Sequence, residues 1–271
     1  MKNLSAHYPI WFCDIWGVVH DGYKPFAATC AALSAHREAG GITILVTNSP
    51  RTSAGVEQQL DEIGVNRSSY DAIVTSGDVT RTLMVQHGGG KLFHIGPTRD
   101  YSIFEGLDIK RVNLEEATAV LCTGLVDEAN EKPTDYLPLL RQIKDMGLTL
   151  ISANPDKIVR KGDHLIYCAG AIADEFQKIG GTVLMAGKPF TPIYDLAMAT
   201  AEKLHGSPVT KSEVLAIGDG PETDIKGAAD YGLPCVLLTG GINSGEDVLA
   251  EVQRLVPTAH ILRSLPELDW T

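Results

Sequence analysis

Trp11-Phe12-Cys13-Asp14-Ile15-Trp16-Gly17-Val18-Val19-His20-Asp21-Gly22 is an apolar approach to one carboxylate, followed at once by a glycine turn. A strand that ends on an Asp and then bends sets that carboxylate at the carboxyl edge of a sheet, where open α/β sheets bind ligands. Asp14 is therefore the first catalytic candidate. Alone, an Asp-x-x-Gly segment reads equally well as the start of a plain turn. Three further stretches share the design of an apolar strand ending in polar residues: Ile42-Thr43-Ile44-Leu45-Val46-Thr47-Asn48-Ser49, then Gly187-Lys188-Pro189, then Val214-Leu215-Ala216-Ile217-Gly218-Asp219-Gly220-Pro221-Glu222-Thr223-Asp224. Four such ends in one chain point to a shared site.

The elements between these stretches alternate. Pro25 opens a helix with Phe26, Cys30 and Leu33 at helical spacing, Gly40-Gly41 stops it, and a strand over 42–46 follows. Strand, helix, strand implies a right-handed crossover and a parallel pair, which puts Asp14 and Thr47 at one sheet edge. Val56, Leu60 and Ile63 before Gly64 predict a second covering helix, and residues 72–75 a third strand. Asp78 is the expected N-cap of a helix through Leu83.

From Lys91 the pattern restarts, with strands over 91–96, 117–122 and 148–152, a helix carrying Leu137, Leu140 and Ile143, and another over 171–179. This is a second α/β layer. Gly88-Gly89-Gly90 lacks a following Lys-Ser or Lys-Thr and reads as a turn, not a phosphate loop. The core resumes at Val183, and Thr191 or Pro192 starts a helix with Ile193, Leu196 and Ala197 on one face. Thr223 and Asp224 begin the helix after Gly218; strands over 234–238 and 259–262 flank a Gly240-Gly241 turn and a helix over 248–255.

With 271 residues, 44% of them hydrophobic, the chain can bury a large core in one or two domains. A net charge of −11 and a pI near 5.1 argue against binding nucleic acid or an anionic membrane, so an anionic substrate needs a local positive site. No basic segment with a long apolar run opens the chain, and no run approaches a bilayer span; the expectation is a cytoplasmic protein. The five cysteines are odd in number, lack paired metal spacing and read as reduced core thiols.

The ordered set Asp14, Thr47-Asn48-Ser49, Lys188 and Gly218-Asp219-x-x-x-Thr223-Asp224 resembles the four motifs of the haloacid dehalogenase superfamily, most closely the branch with a large α/β cap that includes nitrophenyl phosphatases and sugar phosphatases. The resemblance implies an α/β fold: a Rossmann-like doubly wound parallel sheet core over residues 1–79 and 187–271, with an inserted α/β cap over 80–186. It implies Mg2+ held by Asp14, the backbone carbonyl of Trp16, Asp219 and, through water, Asp224. It further implies Asp14 as nucleophile, Thr47, Asn48 and Lys188 as phosphate-binding groups with Thr47 and Lys188 assisting catalysis, and a small phosphorylated metabolite as substrate. A homodimer is expected by analogy. Asn154, in Asn154-Pro155-Asp156, resembles the substrate side of the cap, while an Asn-Pro turn is the structural alternative, favoured for Asp156.

One departure stands out. Phosphatases of this superfamily carry a second Asp two residues after the nucleophile as general acid and base, and here that position is Trp16. Indole has one N–H donor and no titration in this range, so metal and phosphate binding are spared more than turnover. His20 and Asp21 are possible substitutes or simply loop structure. The leading expectation is a phosphatase-like hydrolase; the alternatives are a low-turnover phosphorylated-metabolite binding or regulatory protein and a phosphonatase- or dehalogenase-like hydrolase.

Overall fold

The computed structural model describes residues 1–161, 164–240 and 248–271. In chain order the helices are α1 (Lys2–His7), α2 (Ala27–Glu38), α3 (Ser53–Ile63), α4 (Ser76–His87), α5 (Leu137–Asp145), α6 (Ala169–Lys178), α7 (Thr191–His205), α8 (Lys226–Tyr231) and α9 (Val248–Leu255). The strands are β1 (Ile10–Cys13), β2 (Ile42–Thr47), β3 (Ala72–Thr75), β4 (Lys91–Ile95), β5 (Lys110–Arg111), β6 (Ala119–Cys122), β7 (Leu150–Ser152), β8 (Ile158–Lys161), β9 (His164–Tyr167), β10 (Val183–Met185), β11 (Val214–Gly218), β12 (Cys235–Leu238) and β13 (Ile261–Leu265). The chain divides into two compact units, one of residues 1–47, 56–74 and 188–271, the other of 48–55 and 75–187.

The first unit is a six-stranded sheet in the order β13-β12-β11-β1-β2-β3. Every residue of β1, β11 and β12 is buried, which explains why these strands read as continuous apolar runs and not as alternating ones. β1 pairs in parallel with β2 and with β11, Cys13 facing Leu45 on one side and Ile217 on the other. Their carboxyl ends are therefore level. The chain builds the sheet outward from β1 to β3, then returns to β11 and builds the other way, so the β1/β11 boundary is the switch point of a doubly wound sheet. Trp11, Leu33, Leu45, Leu60, Leu215 and Val236 pack in the core of this unit, each such side chain contributing about 1.5–3 kcal/mol.

The second unit is a five-stranded sheet in the order β10-β7-β6-β4-β5, with the antiparallel pair β8–β9 beside it in the chain. Its strand period of two sorts the core into two layers. Val120 and Cys122 pack with Leu140, Ile143, Ile172 and Phe176, whereas Ala119 and Leu121 pack with Met84, Leu92 and Ile103. Among the described residues no helix is long and apolar enough to cross a membrane.

Several local expectations are corrected. Val183–Met185 does not resume the first sheet; it pairs with Leu150–Ser152 in the second, so Lys188 follows no core strand and stands in the connection into α7. The N-cap of α4 is Thr75, whose side chain accepts from the Asp78 N–H at 2.9 Å, and the helix runs on to His87. Asp78 instead accepts from Ser53 N. α2 starts at Ala27, not Pro25. Pro221–Ile225 form one wide π-helical turn before α8, so Thr223 and Asp224 lie in that turn. Gly241 of the expected Gly240-Gly241 turn lies outside the described residues.

Candidate active site

Asp14 follows β1 directly, and its N–H donates to the Ile217 carbonyl at 2.8 Å, extending the β1–β11 ladder to the sheet edge. Asp219 follows β11 directly, on the other side of the switch point. Asp224 is brought back by the π turn, where its Oδ2 accepts from Gly220 N at 3.0 Å. One carboxylate oxygen from each of the three lies within 4.8 Å of the others, and all three residues are buried.

Lys188 reaches into this cluster, its Nζ donating to Asp14 Oδ1 at 2.5 Å, Asp224 Oδ1 at 2.7 Å and the Val46 carbonyl at 2.9 Å. Its three ammonium donors thus meet three acceptors. Burial works against the ammonium, but the Asp14 and Asp224 carboxylates outweigh it and raise the Lys188 pKa. Asp14 is pushed well above the usual carboxylate range by burial first and then by Asp224 and Asp219, against the pull of Lys188. Three buried carboxylates face one ammonium, and buried charge is costly unless compensated. An oxygen-only donor set in need of positive charge fits a hard divalent cation such as Mg2+.

Gly17 completes the packing beneath that cluster. It holds a φ of +83°, and a Cβ there would lie 2.5 Å from Asp219 Oδ2, so only glycine admits both the turn and the carboxylate. The loop beyond it is closed by Gly17 N donating to the His20 carbonyl at 2.9 Å. Trp16 meets the His20 ring edge-on, with centroids 5.1 Å apart. His20 is buried, its Nδ1 accepts from Gly22 N at 2.9 Å, and burial lowers its pKa to about 4. Asp21 Oδ1 accepts from the N–H groups of Tyr23 and Lys24, which ties it to the turn of the loop.

Asp14, Lys188, Asp219 and Asp224 therefore converge in the first unit, and Thr47, buried as the last residue of β2, ends on the same sheet edge. Asn48 and Asn154 belong to the second unit. Asn154 Oδ1 accepts from Asp156 N at 2.8 Å, a turn-building role. Sequence reasoning did not single out the Val46 carbonyl or Tyr194, a buried side chain in the first turn of α7 that lines one cavity with Asp14, Lys188 and Asp224. The carbonyl has no residue-type signal. Tyr194 is one residue beyond the apolar position Ile193 and reads as ordinary core.

Comparison with known proteins settles the family. A family model described as haloacid dehalogenase-like hydrolase matches residues 11–110, and a second of the same kind matches 185–268. The crystal structure of a haloacid dehalogenase-like family hydrolase from Brucella suis 1330 is 44% identical, with a TM-score of 0.91 over 99% of this chain and 98% of that one. The chain belongs to the haloacid dehalogenase-like hydrolase family. Among curated relatives, a D-glycerol 3-phosphate phosphatase of Mycobacterium tuberculosis is 25% identical over 98% of this chain and 73% of its own length. An acid sugar phosphatase of Staphylococcus epidermidis is 26% identical over 89% of this chain and 90% of its own. The second compact unit interrupts the first twice in the chain, at residues 48–55 and 75–187, and carries a five-stranded sheet of its own.

Proposed function

We propose that this haloacid dehalogenase-like chain is a Mg2+-dependent phosphatase-like hydrolase that acts on a small phosphorylated metabolite, of the sugar or polyol phosphate class, through an aspartyl-phosphate at Asp14. The observation that carries the reading is the buried Lys188 ammonium held between Asp14 and Asp224. In this reading an Asp14 carboxylate oxygen attacks phosphorus, the bond to the leaving oxygen breaks, and water later hydrolyses the acyl phosphate. Lys188 pulls Asp14 towards its ionised form and aims it, and stabilises negative charge on the transferring group. The Thr47 hydroxyl and the Asn48 backbone N–H donate to the phosphoryl oxygens.

Asp14, Asp219, the Trp16 backbone carbonyl and, through water, Asp224 would hold Mg2+, which when bound supplies charge neutralisation at the phosphoryl group. The carbonyl is present whatever side chain residue 16 carries. Loss of a general acid and base costs about 10²–10⁴-fold in rate, so Trp16 slows turnover without dismantling the nucleophile. Residues 80–186 act as the substrate-selecting cap.

Incubation with acetyl phosphate and Mg2+, followed by peptide mass spectrometry, tests the reading. Phosphate on Asp14 in the wild type and none in Asp14→Asn supports it; an unmodified Asp14 with no phosphate released counts against it. A second reading, a low-turnover phosphorylated-metabolite binding protein, is favoured by the indole of Trp16 packed on His20 where an acid would stand.

A further inference from the structure

The chain enters the second unit at Asn48, re-enters it at Thr75 and leaves it at Gly187. Residues at three of the four crossings, all but the exit after Gly55, meet at one point. Gly187 has a φ of +94°, and a Cβ on it would lie 2.6 Å from Asn48 Oδ1, 2.8 Å from Pro155 Cδ and 2.9 Å from Ser76 Oγ. Asn48 and Ser76 are both buried. The same point carries a hydrogen bond that spans 108 residues, in which Asn48 Nδ2 donates to Asp156 Oδ1 at 2.8 Å.

The acceptor is rigidly mounted. Asp156 N donates to Asn154 Oδ1 at 2.8 Å, and Ser152 Oγ donates to the Asn154 carbonyl at 3.0 Å, so the turn after β7 is closed on itself. The turn is also pressed onto α6, where a Cβ on Gly170 would come within 2.2 Å of the Pro155 carbonyl oxygen and 2.5 Å of that of Asp156. Asn48 is the residue whose backbone N–H follows Thr47, and Gly187 is the residue from which the chain continues to Lys188.

We propose that Asp156 is a positioning residue for phosphoryl binding: by holding the Asn48 side chain it fixes the Thr47-Asn48 peptide, at the node where Gly187 leads into Lys188. This rests on the phosphatase reading. A carboxylate acceptor gives a charge-assisted bond, stronger than an amide would, and the bond acts on binding geometry, not on a bond-making atom. Its loss therefore weakens phosphate binding more than it slows chemistry.

The test measures hydrolysis of p-nitrophenyl phosphate with Mg2+, inhibition by inorganic phosphate, and amide exchange over residues 48–55, in wild type, Asp156→Ala, Asp156→Asn, Asn48→Ala and the Asn48→Ala, Asp156→Ala double variant. The expected result for Asp156→Ala is about a tenfold rise in both KM and the phosphate inhibition constant, with kcat within about threefold. Asp156→Asn, which keeps an acceptor oxygen, stays within about threefold of wild type throughout, and the double variant is no worse than Asn48→Ala. Exchange over 48–55 quickens about tenfold in Asp156→Ala. Multiplicative losses in the double variant, an unchanged phosphate inhibition constant, or unchanged exchange each overturn the proposal. A wild type that neither turns over nor binds phosphate defeats the phosphatase reading and this proposal together, while exchange still reports whether the Asn48–Asp156 bond orders the segment.

Discussion

Lys188 and Asp14, 174 residues apart in the chain, form a buried ion pair with Nζ 2.5 Å from Oδ1. Removing one partner of such a pair strands the other in a low-dielectric site and costs about 3–5 kcal/mol. Lys188→Met should lower the unfolding free energy by that order in denaturant titrations and abolish phosphate release. A variant of wild-type stability would mean that the three carboxylates do not depend on this ammonium.

Gly17 adjoins the same cluster with no room for a side chain. Gly17→Ala imposes a strained φ and a 2.5 Å contact with Asp219 Oδ2, so the carboxylate must move. The expected outcome is a loss of about 1–3 kcal/mol in stability together with a weakened Mg2+ response. Calorimetric titration with Mg2+ reads the second effect directly.

Under the proposed function Mg2+ should stabilise the fold, because it would bind the assembled carboxylates and not the unfolded chain. At a hundred times its dissociation constant the gain is about 2.7 kcal/mol. Thermal unfolding with Mg2+ and with a chelator should separate in wild type and coincide in Asp219→Ala; a metal shift that survives in Asp219→Ala would place the ion elsewhere.

Acid should destabilise the first unit through His36, which is buried, stacked 3.8 Å from Trp11 and bonded through Nδ1 to Ser5 Oγ. Burial lowers its pKa from 6.5 to about 4. Between those values the unfolded chain holds the proton and the folded chain does not, so this stability is full above pH 6.5 and is lost as pH falls towards 4. One such group gives a slope of about 1.4 kcal/mol per pH unit. His36→Phe keeps a flat ring on Trp11 and removes the proton site, so it should lose less stability between pH 7 and pH 5 than wild type, read by denaturant titration at both.

The closeness of Asp14 and Thr47 is legible because the crossover puts the ends of β1 and β2 at one edge, whereas Asp219 and Asp224 join them in the sequence only through the motif resemblance, and Asp224 reaches the cluster by the π turn and not from a strand end. The second sheet was legible for a similar reason, from alternating elements. The place of Lys188 in a connection, and not at the end of a core strand, is hidden because Val183–Met185 is a short apolar run whose partner, Leu150–Ser152, no local pattern names. For the α4 cap, Thr75 and Asp78 are both good capping residues, and only the side-chain geometry decides between them. The Asn48–Asp156 bond was invisible because nothing near either residue encodes a partner 108 positions away.

Phosphate release from p-nitrophenyl phosphate with Mg2+, followed over time in wild type, Asp14→Asn and Trp16→Asp, tests the central claim most directly. The account predicts slow metal-dependent release in wild type, none in Asp14→Asn, and a gain of about 10²-fold or more in Trp16→Asp as a carboxyl group is restored two residues past the nucleophile. Release that persists in Asp14→Asn, or its absence from both wild type and Trp16→Asp, would contradict it.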